Sequence, residues 1–178
     1  MTDLVDGVRV PSAEDEARFW ALVESAWERL GDEPAAVRRA LLTREPGANV
    51  EGVYTIDEWL DPFLDNLSQL AAGLSSQELT DLDRVVERKL HDIDRADVHE
   101  VTDGSDDGFL YCRGHVVALG REFYEAVTAD PTVAVPDGEC GGVCYLFAHL
   151  HNERFGGWPV TGSGISRESF SNPAGWTN

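Results

Sequence analysis

The sequence is short of positive charge for its length. Its 178 residues include 14 lysines and arginines against 33 aspartates and glutamates, so the net charge is −19, and Lys89 is the only lysine. A field of this sign repels phosphate groups, so we expect no direct nucleic-acid binding. The same field speeds encounter with a basic protein partner. General solubility or adaptation to high salt would also explain the composition, and either is the simpler explanation.

Long apolar runs are also missing. No run approaches the roughly 20 residues that a membrane-spanning helix needs, and residues 1–11 lack the basic start and apolar core of a signal peptide. We therefore expect a cytoplasmic protein that does not contact a membrane. The three cysteines, Cys112, Cys140 and Cys144, are odd in number and come without a signal peptide, which favours reduced thiols over a disulfide framework.

Familiar catalytic and cofactor motifs are absent as well. The sequence has no glycine-rich loop with a lysine for phosphate binding, no dinucleotide-binding glycine pattern and no nucleophile-elbow spacing. We therefore expect no cofactor, and the sequence favours a non-enzymatic protein over an enzyme.

What the sequence does have is a repeated helical pattern, with apolar residues every three or four positions. This pattern predicts a mainly α protein, built as a single-domain bundle of about five to six helices. We expect an N-terminal arm at residues 1–11, a helical domain at 12–155 and an irregular tail at 156–178. The tail is rich in glycine, serine and proline, but its aromatic residues indicate that it packs on the helical domain.

Three capping boxes predict helix starts, because each pairs a serine or threonine with an acidic residue three positions later. They begin at Ser12, Thr55 and Ser75. Pro62 lies near the start of the helix after Thr55, where a proline bends or delays a helix. Farther along the chain, residues 94–103 predict a polar joint between two helices. Residues 143–155 predict a final helix, although the apolar segment 144–147 would also suit a buried strand.

Residues 103–131 carry the best-formed helical pattern in the chain. Ser105 is a suitable N-cap for one long helix, and Asp130 ends it because the next residue is proline. Gly120 lies within the apolar arc, where we expect another backbone to approach closely. The opposite side, predicted to be an exposed polar face, carries Tyr111, His115 and Glu122.

The candidate ligand- or partner-binding residues lie in this stretch and are Asp106, Asp107, Arg113 and His115. In a structural interpretation, an aspartate caps the helix while Arg113 meets an acid such as Asp61 or Asp65. In a functional interpretation, Asp106, Asp107 and Arg113 border a cleft that binds an anion or a metal. Capping and core packing account for most of these residues, which favours the structural interpretation.

A weaker candidate is a metal site formed by Cys140, Cys144 and His149. Cysteine and histidine are zinc ligands, but structural zinc sites use closer cysteine pairs in two clusters. In a helix, His149 and His151 would also point to different sides. We therefore expect no bound metal here, but buried thiols and surface histidines.

The stretch also resembles a bacterial family of unknown function, domain-of-unknown-function family 4240. The resemblance rests on the Ser-Asp-Asp-Gly-Phe run at residues 105–109, Arg113-Gly114, Gly120-Arg121-Glu122, Tyr124 and Asp130-Pro131. It extends over residues 17–132 and implies a largely helical, single-domain fold, but no activity. Cys112 and His115 stand where the family tends to have aromatic residues.

Two functional hypotheses follow from the sequence. The first is a non-enzymatic protein-binding or regulatory domain that uses its acidic surface to meet a basic protein, since no catalytic motif is recognisable and the charge is −19. The alternative is an enzyme, or a protein that binds a small ligand or metal, with a cleft at the Ser-Asp-Asp-Gly helix start.

Overall fold

The computed structural model describes residues 3–5, 7–45, 48, 52–102 and 104–177. It confirms the mainly α prediction, but the described residues form nine α-helices, more than the five to six expected. They are α1 (Ala13–Glu28), α2 (Asp32–Thr43), α3 (Leu60–Ala71), α4 (Ser76–Asp92), α5 (Ala96–Thr102), α6 (Phe109–Ala118), α7 (Arg121–Ala129), α8 (Gly141–Cys144) and α9 (Leu146–Phe155). Three 3-10 helices, Val53–Trp59, Pro131–Val133 and Pro173–Gly175, lie between or after them.

A small hairpin precedes the helices. Strands β1 (Asp3–Val5) and β2 (Val8–Val10) pair antiparallel, with Val5 opposite Val8. The backbone N–H of Arg9 donates to the carbonyl of Gly162 at 2.9 Å, so this N-terminal hairpin contacts the C-terminal segment.

Two of the three capping boxes form as predicted, at Ser12 before α1 and at Ser75 before α4. The third is wrong, because Thr55 lies inside the 3-10 helix and α3 begins later, at Leu60. The reason is Pro62. An α-helix starting after Thr55 would put this proline in the helix interior, where it lacks the N–H for the backbone ladder. Starting at Leu60 puts it in the first turn, where no such bond is needed.

The long helix predicted within residues 103–131 is broken in two. α6 ends at Ala118 and α7 begins at Arg121, because Gly120 takes φ 102°, a conformation that ends helices and that other residues rarely adopt. The predicted backbone approach at Gly120 is also wrong. Two side chains fill that space: a Cβ on Gly120 would lie 2.4 Å from Nη2 of Arg38 and 2.4 Å from Oε1 of Glu24.

Two other segments differ from the prediction of a polar joint at residues 94–103 and a single final helix at residues 143–155. Residues 94–103 contain α5, so the polar joint is largely helical. Residues 143–155 are helical and not a strand, but they are divided between α8 and α9 at Tyr145, which has a non-helical φ of −129°. These interruptions explain the excess of helices over the prediction.

The core is built around α6, in which every residue except Tyr111 is buried. Trp27 of α1 stacks on Phe63 of α3 with ring centroids 4.5 Å apart. Its indole Nε1 also donates to the carbonyl of Ala118 at 2.7 Å, which ties α1 to the end of α6. Burial of such aromatic side chains stabilises the fold by about 2–3 kcal/mol each.

The segment after α9 runs along α4 and its C-terminal end. Arg167 donates to both carboxylate oxygens of Asp83 at 2.9 Å, in a buried pair. Asp94 accepts backbone N–H groups from residues 170–172 and the indole N–H of Trp176, at 2.6–3.1 Å. The C-terminal segment is therefore held by charged side chains of the helical core.

Candidate functional site

The Ser-Asp-Asp-Gly run forms a turn that precedes α6, not the first turn of the helix. Ser105 Oγ accepts the N–H of Gly108 at 3.0 Å, but α6 begins at Phe109 and has no side-chain cap. The Asp106 side chain is 81% exposed and its Oδ1 lies 3.8 Å from Nε2 of His99. Asp107 is exposed as well. The predicted capping of a long helix by this run is therefore wrong.

Arg113 is fully buried and does not meet Asp61 or Asp65. Its Nη1 donates to the carbonyl of Leu90 at 2.8 Å and its Nη2 to Oγ of Ser169 at 3.1 Å. Its guanidinium also lies over the ring of Phe109, 4.8 Å from the centroid. Arg113 is therefore buried with neutral hydrogen-bond partners, whereas Asp106 and Asp107 are exposed.

His115 is buried, contrary to the prediction of an exposed polar face. Only 1% of its surface is accessible, because the segment after α7 folds back over α6. Gly138 lies against the ring so closely that a Cβ there would be 2.8 Å from Nδ1. Burial, with the nearby charge of Arg44, lowers the pKa of His115 to about 4, so the imidazole is neutral at pH 7.

The candidate metal ligands do not converge. Cys140 and Cys144 are buried, whereas His149 is exposed and contacts the ring of Trp158. Burial raises the pKa of each of these two thiols to about 12, which disfavours the thiolate that binds metals. Across the described part of the chain, no three His, Cys, Asp or Glu side chains are grouped to hold a metal ion.

A feature that the sequence did not reveal is an acidic pocket between the start of α3 and the loop before α8. This open cavity of about 340 Å³ is lined by Asp57, Leu60, Asp61, Leu64, Asp137, Glu139, Cys140, Gly141 and Gly142. Four carboxylates thus surround one cavity, two from each wall. We call this cavity the acidic pocket.

Three glycines let the loop wall and the start of α8 pack tightly against the other helices. A Cβ on Gly142 would lie 2.5 Å from Cδ1 of Leu64, and one on Gly141 would lie 2.9 Å from the ring of Tyr111. A Cβ on Gly138 would lie 2.8 Å from Nδ1 of His115. Larger residues at these positions would push the loop, with Asp137 and Glu139, away from α3.

The carboxylates of the acidic pocket form no ion pair with a lysine or arginine among the described residues. Among the described residues, the only basic side chain within 4 Å of its carboxylates is His115, whose Nε2 lies 3.8 Å from Oδ1 of Asp57. That histidine is neutral, and burial raises the pKa of Asp57. Arg44 is nearby and keeps its positive charge, but its guanidinium donates to the carbonyls of Leu41, Val133 and Ala134 and not to a carboxylate of the pocket. The pocket is therefore suited to accept a cation.

One sequence signal for this pocket exists, and it covers only half of it. Asp57 and Asp61 are four residues apart, a spacing that can put two side chains on one helical face. Asp137 and Glu139 lie in a proline- and glycine-containing loop without periodic signal. Only the tertiary fold brings this loop to α3.

A family model matches residues 55–137. The matching family is DUF4240. The family is described as protein of unknown function, so the match brings no activity with it. DUF4240 was the family suggested by the sequence, and the match covers Asp57, Asp61, His115 and Asp137 of the site. Residues 17–54, part of the expected resemblance, lie outside it.

No curated protein and no solved structure matches the chain. Within the described ranges, no helix combines the length and apolar character needed to cross a bilayer.

Proposed function

We propose that this protein is a non-enzymatic binding domain whose acidic pocket receives a cationic side chain from a basic protein partner. The observation that carries the proposal is the set of four carboxylates around one open cavity with no cationic partner within ion-pair distance among the described residues. Unpaired acids repel one another, and a cation placed between them relieves that repulsion.

The size of the acidic pocket suits one side chain. Its volume of about 340 Å³ is at the lower end of ligand sites, which run from about 300 to 1,000 Å³. A unit charge about 4 Å from a carboxylate gains roughly 1–4 kcal/mol near a protein surface. Several carboxylates acting together therefore supply useful affinity without a large interface.

The net charge of −19 supports the same partner class. A uniformly acidic surface attracts any basic protein and raises the rate of encounter, but it confers little selectivity. The acidic pocket supplies a defined position for one cationic group. The partner is thus a basic protein that presents at least one exposed lysine or arginine.

The contacts around the pocket favour binding over catalysis. Nε2 of His115 and Oδ1 of Asp57 are 3.8 Å apart, which is beyond hydrogen-bond distance, so the carboxylate does not orient the imidazole as in a nucleophile–base arrangement. The alternative of a ligand-binding cleft at the Ser-Asp-Asp-Gly turn has less support, because Arg113 is fully buried.

The proposal is tested with a short basic peptide, an acetylated and amidated octamer of alternating arginine and lysine. Its affinity is measured by calorimetry for two variants that each lack four negative charges. The pocket variant carries Asp57→Asn, Asp61→Asn, Asp137→Asn and Glu139→Gln. The control variant carries Glu14→Gln, Glu28→Gln, Glu122→Gln and Glu153→Gln, at exposed acids for which the described residues provide no ion-pair partner.

We expect the pocket variant to bind the octamer at least about tenfold more weakly than the wild type, a difference of about 1.4 kcal/mol. The control variant should lose no more than about twofold. An equal loss in both variants would show that general charge alone attracts the peptide, and it would overturn the proposed pocket.

A further inference from the structure

We propose that the acidic pocket recognises arginine in preference to lysine, with Nε2 of His115 accepting a hydrogen bond from the guanidinium. This inference rests on the proposed function, because it specifies which cationic side chain the pocket receives. Three observations carry it: the unpaired nitrogen of His115, the placement of carboxylates on two walls, and two exposed tyrosines beside those walls.

The first observation is that Nε2 of His115 is buried and has no hydrogen-bond partner in the described structure. Buried polar atoms in native proteins nearly always have a partner, so an orphan atom at a cavity indicates an absent ligand or water. A carboxylate oxygen, Oδ1 of Asp57, lies 3.8 Å from this nitrogen. Because Asp57 lines the acidic pocket, the orphan nitrogen lies directly beside one carboxylate of the site.

The protonation state of His115 defines what that nitrogen needs. Burial and the charge of Arg44 keep the pKa of His115 low, so the ring is neutral and has one acceptor nitrogen. If Nε2 is that acceptor, it faces the carboxylate of Asp57 across a gap too long for a hydrogen bond. Two acceptors in this arrangement require a donor that reaches both, and an N–H-rich cation provides one.

The second observation is the division of the carboxylates between two walls. Asp57 and Asp61 belong to the wall at the start of α3, and Asp137 and Glu139 belong to the loop wall. A guanidinium has five N–H donors fixed in one plane and can donate in several directions at once. The ammonium of lysine is a compact, strongly hydrated charge that gains less from separated acceptors.

The third observation is that two exposed tyrosines flank these walls. Tyr54 is 55% exposed, precedes Asp57 in the same 3-10 helix, and donates through its hydroxyl to the carbonyl of Pro136 at 3.4 Å. Tyr111 is 44% exposed and its ring lies against Gly141 in the other wall. Guanidinium groups stack on aromatic faces more readily than ammonium groups do.

The experiment compares three capped pentapeptides that differ only at the central residue, which is arginine, lysine or neutral citrulline, with alanine elsewhere. Affinities are measured by calorimetry for the full chain at pH 7, and the imidazole nitrogens of His115 are followed by NMR. We expect arginine to bind at least about fivefold tighter than lysine, and citrulline to show no binding. The Nε2 resonance should shift as expected for an acceptor nitrogen only with the arginine peptide.

Two variants separate recognition from folding. Tyr54→Leu changes an exposed residue and should reduce the arginine-to-lysine ratio, because only the guanidinium gains from the ring face. His115→Gln should reduce it as well. If His115→Gln fails to fold, the Tyr54→Leu ratio and the wild-type resonance still test the inference.

The outcomes distinguish this inference from the proposed function. Equal affinities for the arginine and lysine peptides, both lost in the pocket variant, would overturn the arginine preference and leave the proposed function standing. Binding of neither peptide, or binding that the pocket variant retains, would overturn both. Displacement of the arginine peptide by micromolar Mg²⁺ or Zn²⁺ would assign the pocket to a metal ion and would also overturn both.

Discussion

Arg167 and Asp83 form a buried ion pair in which two parallel hydrogen bonds of 2.9 Å join the C-terminal segment to α4. Glu87 adds a second carboxylate 3.7 Å from the same guanidinium. A two-bond pair of this geometry is among the stronger ion pairs in proteins, but its desolvation cost is high. Its energetic importance therefore appears when one partner is removed.

We expect Arg167→Met to destabilise the protein by about 3–5 kcal/mol, because it leaves Asp83 charged and buried without its partner. The measurement is the free energy of unfolding in urea. Combining Arg167→Met with Asp83→Leu should recover most of the loss, since it removes the orphaned charge. A loss below about 1 kcal/mol in the single variant would show that the C-terminal segment is not held by this pair.

Arg113 should also be a structural residue. Arg113→Ala removes hydrogen bonds to Leu90 and Ser169 and leaves a cavity next to Phe109, so we expect a loss of about 3 kcal/mol or more. Arg121→Ala is the matched control. Its ion pair with Glu125 is exposed, and its removal should leave the free energy of unfolding nearly unchanged. Similar small losses in both variants would contradict a buried role for Arg113.

His115 should make stability depend on pH in a defined range. Its folded pKa of about 4 is below the unfolded value of 6.5, so the unfolded chain takes up the proton first as pH falls. Stability is therefore unaffected by His115 above about pH 6.5 and decreases from there down to about pH 4. The decrease amounts to about 3 kcal/mol at most.

The check compares urea unfolding of the wild type and of His115→Gln across this range. The stability of the wild type relative to the variant should decrease as pH falls from 6.5 to 4. Burial also raises the pKa of Asp57. Protonation of Asp57 therefore increases the free energy of unfolding as pH falls, which is opposite to the effect of His115. A constant difference between the two proteins over this range would show that His115 is not buried in its neutral form.

Gly120 should tolerate no side chain. Its φ of 102° is strained for alanine, and a Cβ would collide with Arg38 and Glu24, so we expect Gly120→Ala to cost about 2 kcal/mol or more. Gly73→Ala is the control, since a Cβ at that position would have nothing within 4 Å and the φ of Gly73 is ordinary. That change should be neutral or stabilise slightly, by about 0.4–1 kcal/mol. Equal effects of the two substitutions on the thermal midpoint would contradict the helix break at Gly120.

Local signals in the sequence predicted the helical class and the starts of α1 and α4. The Ser12 and Ser75 capping boxes depend on contacts within four residues, so neighbouring residues are sufficient to specify them. Thr55 shows the limit of such signals. The residues of a capping box are present at Thr55, but Pro62 moves the start of the α-helix to Leu60.

The candidate site is formed by contacts between residues that lie far apart in the sequence. The amphipathic pattern of α6 places His115 on its polar side, and the loop around Gly138 covers its ring. Asp57 and Asp137 are 80 positions apart, and no local pattern pairs the α3 wall with the loop wall. Arg113 is a candidate binding residue in the sequence, but its hydrogen-bond partners, Leu90 and Ser169, come from other segments of the chain.

The central claim is that the acidic pocket, and not the overall negative charge, holds the cationic group of a partner. The most direct test is the dissociation constant of the arginine–lysine octamer for the pocket variant and for the control variant, at one moderate salt concentration. We predict a weakening of at least about tenfold in the pocket variant and no more than about twofold in the control variant. The same dissociation constant in both variants would contradict the claim.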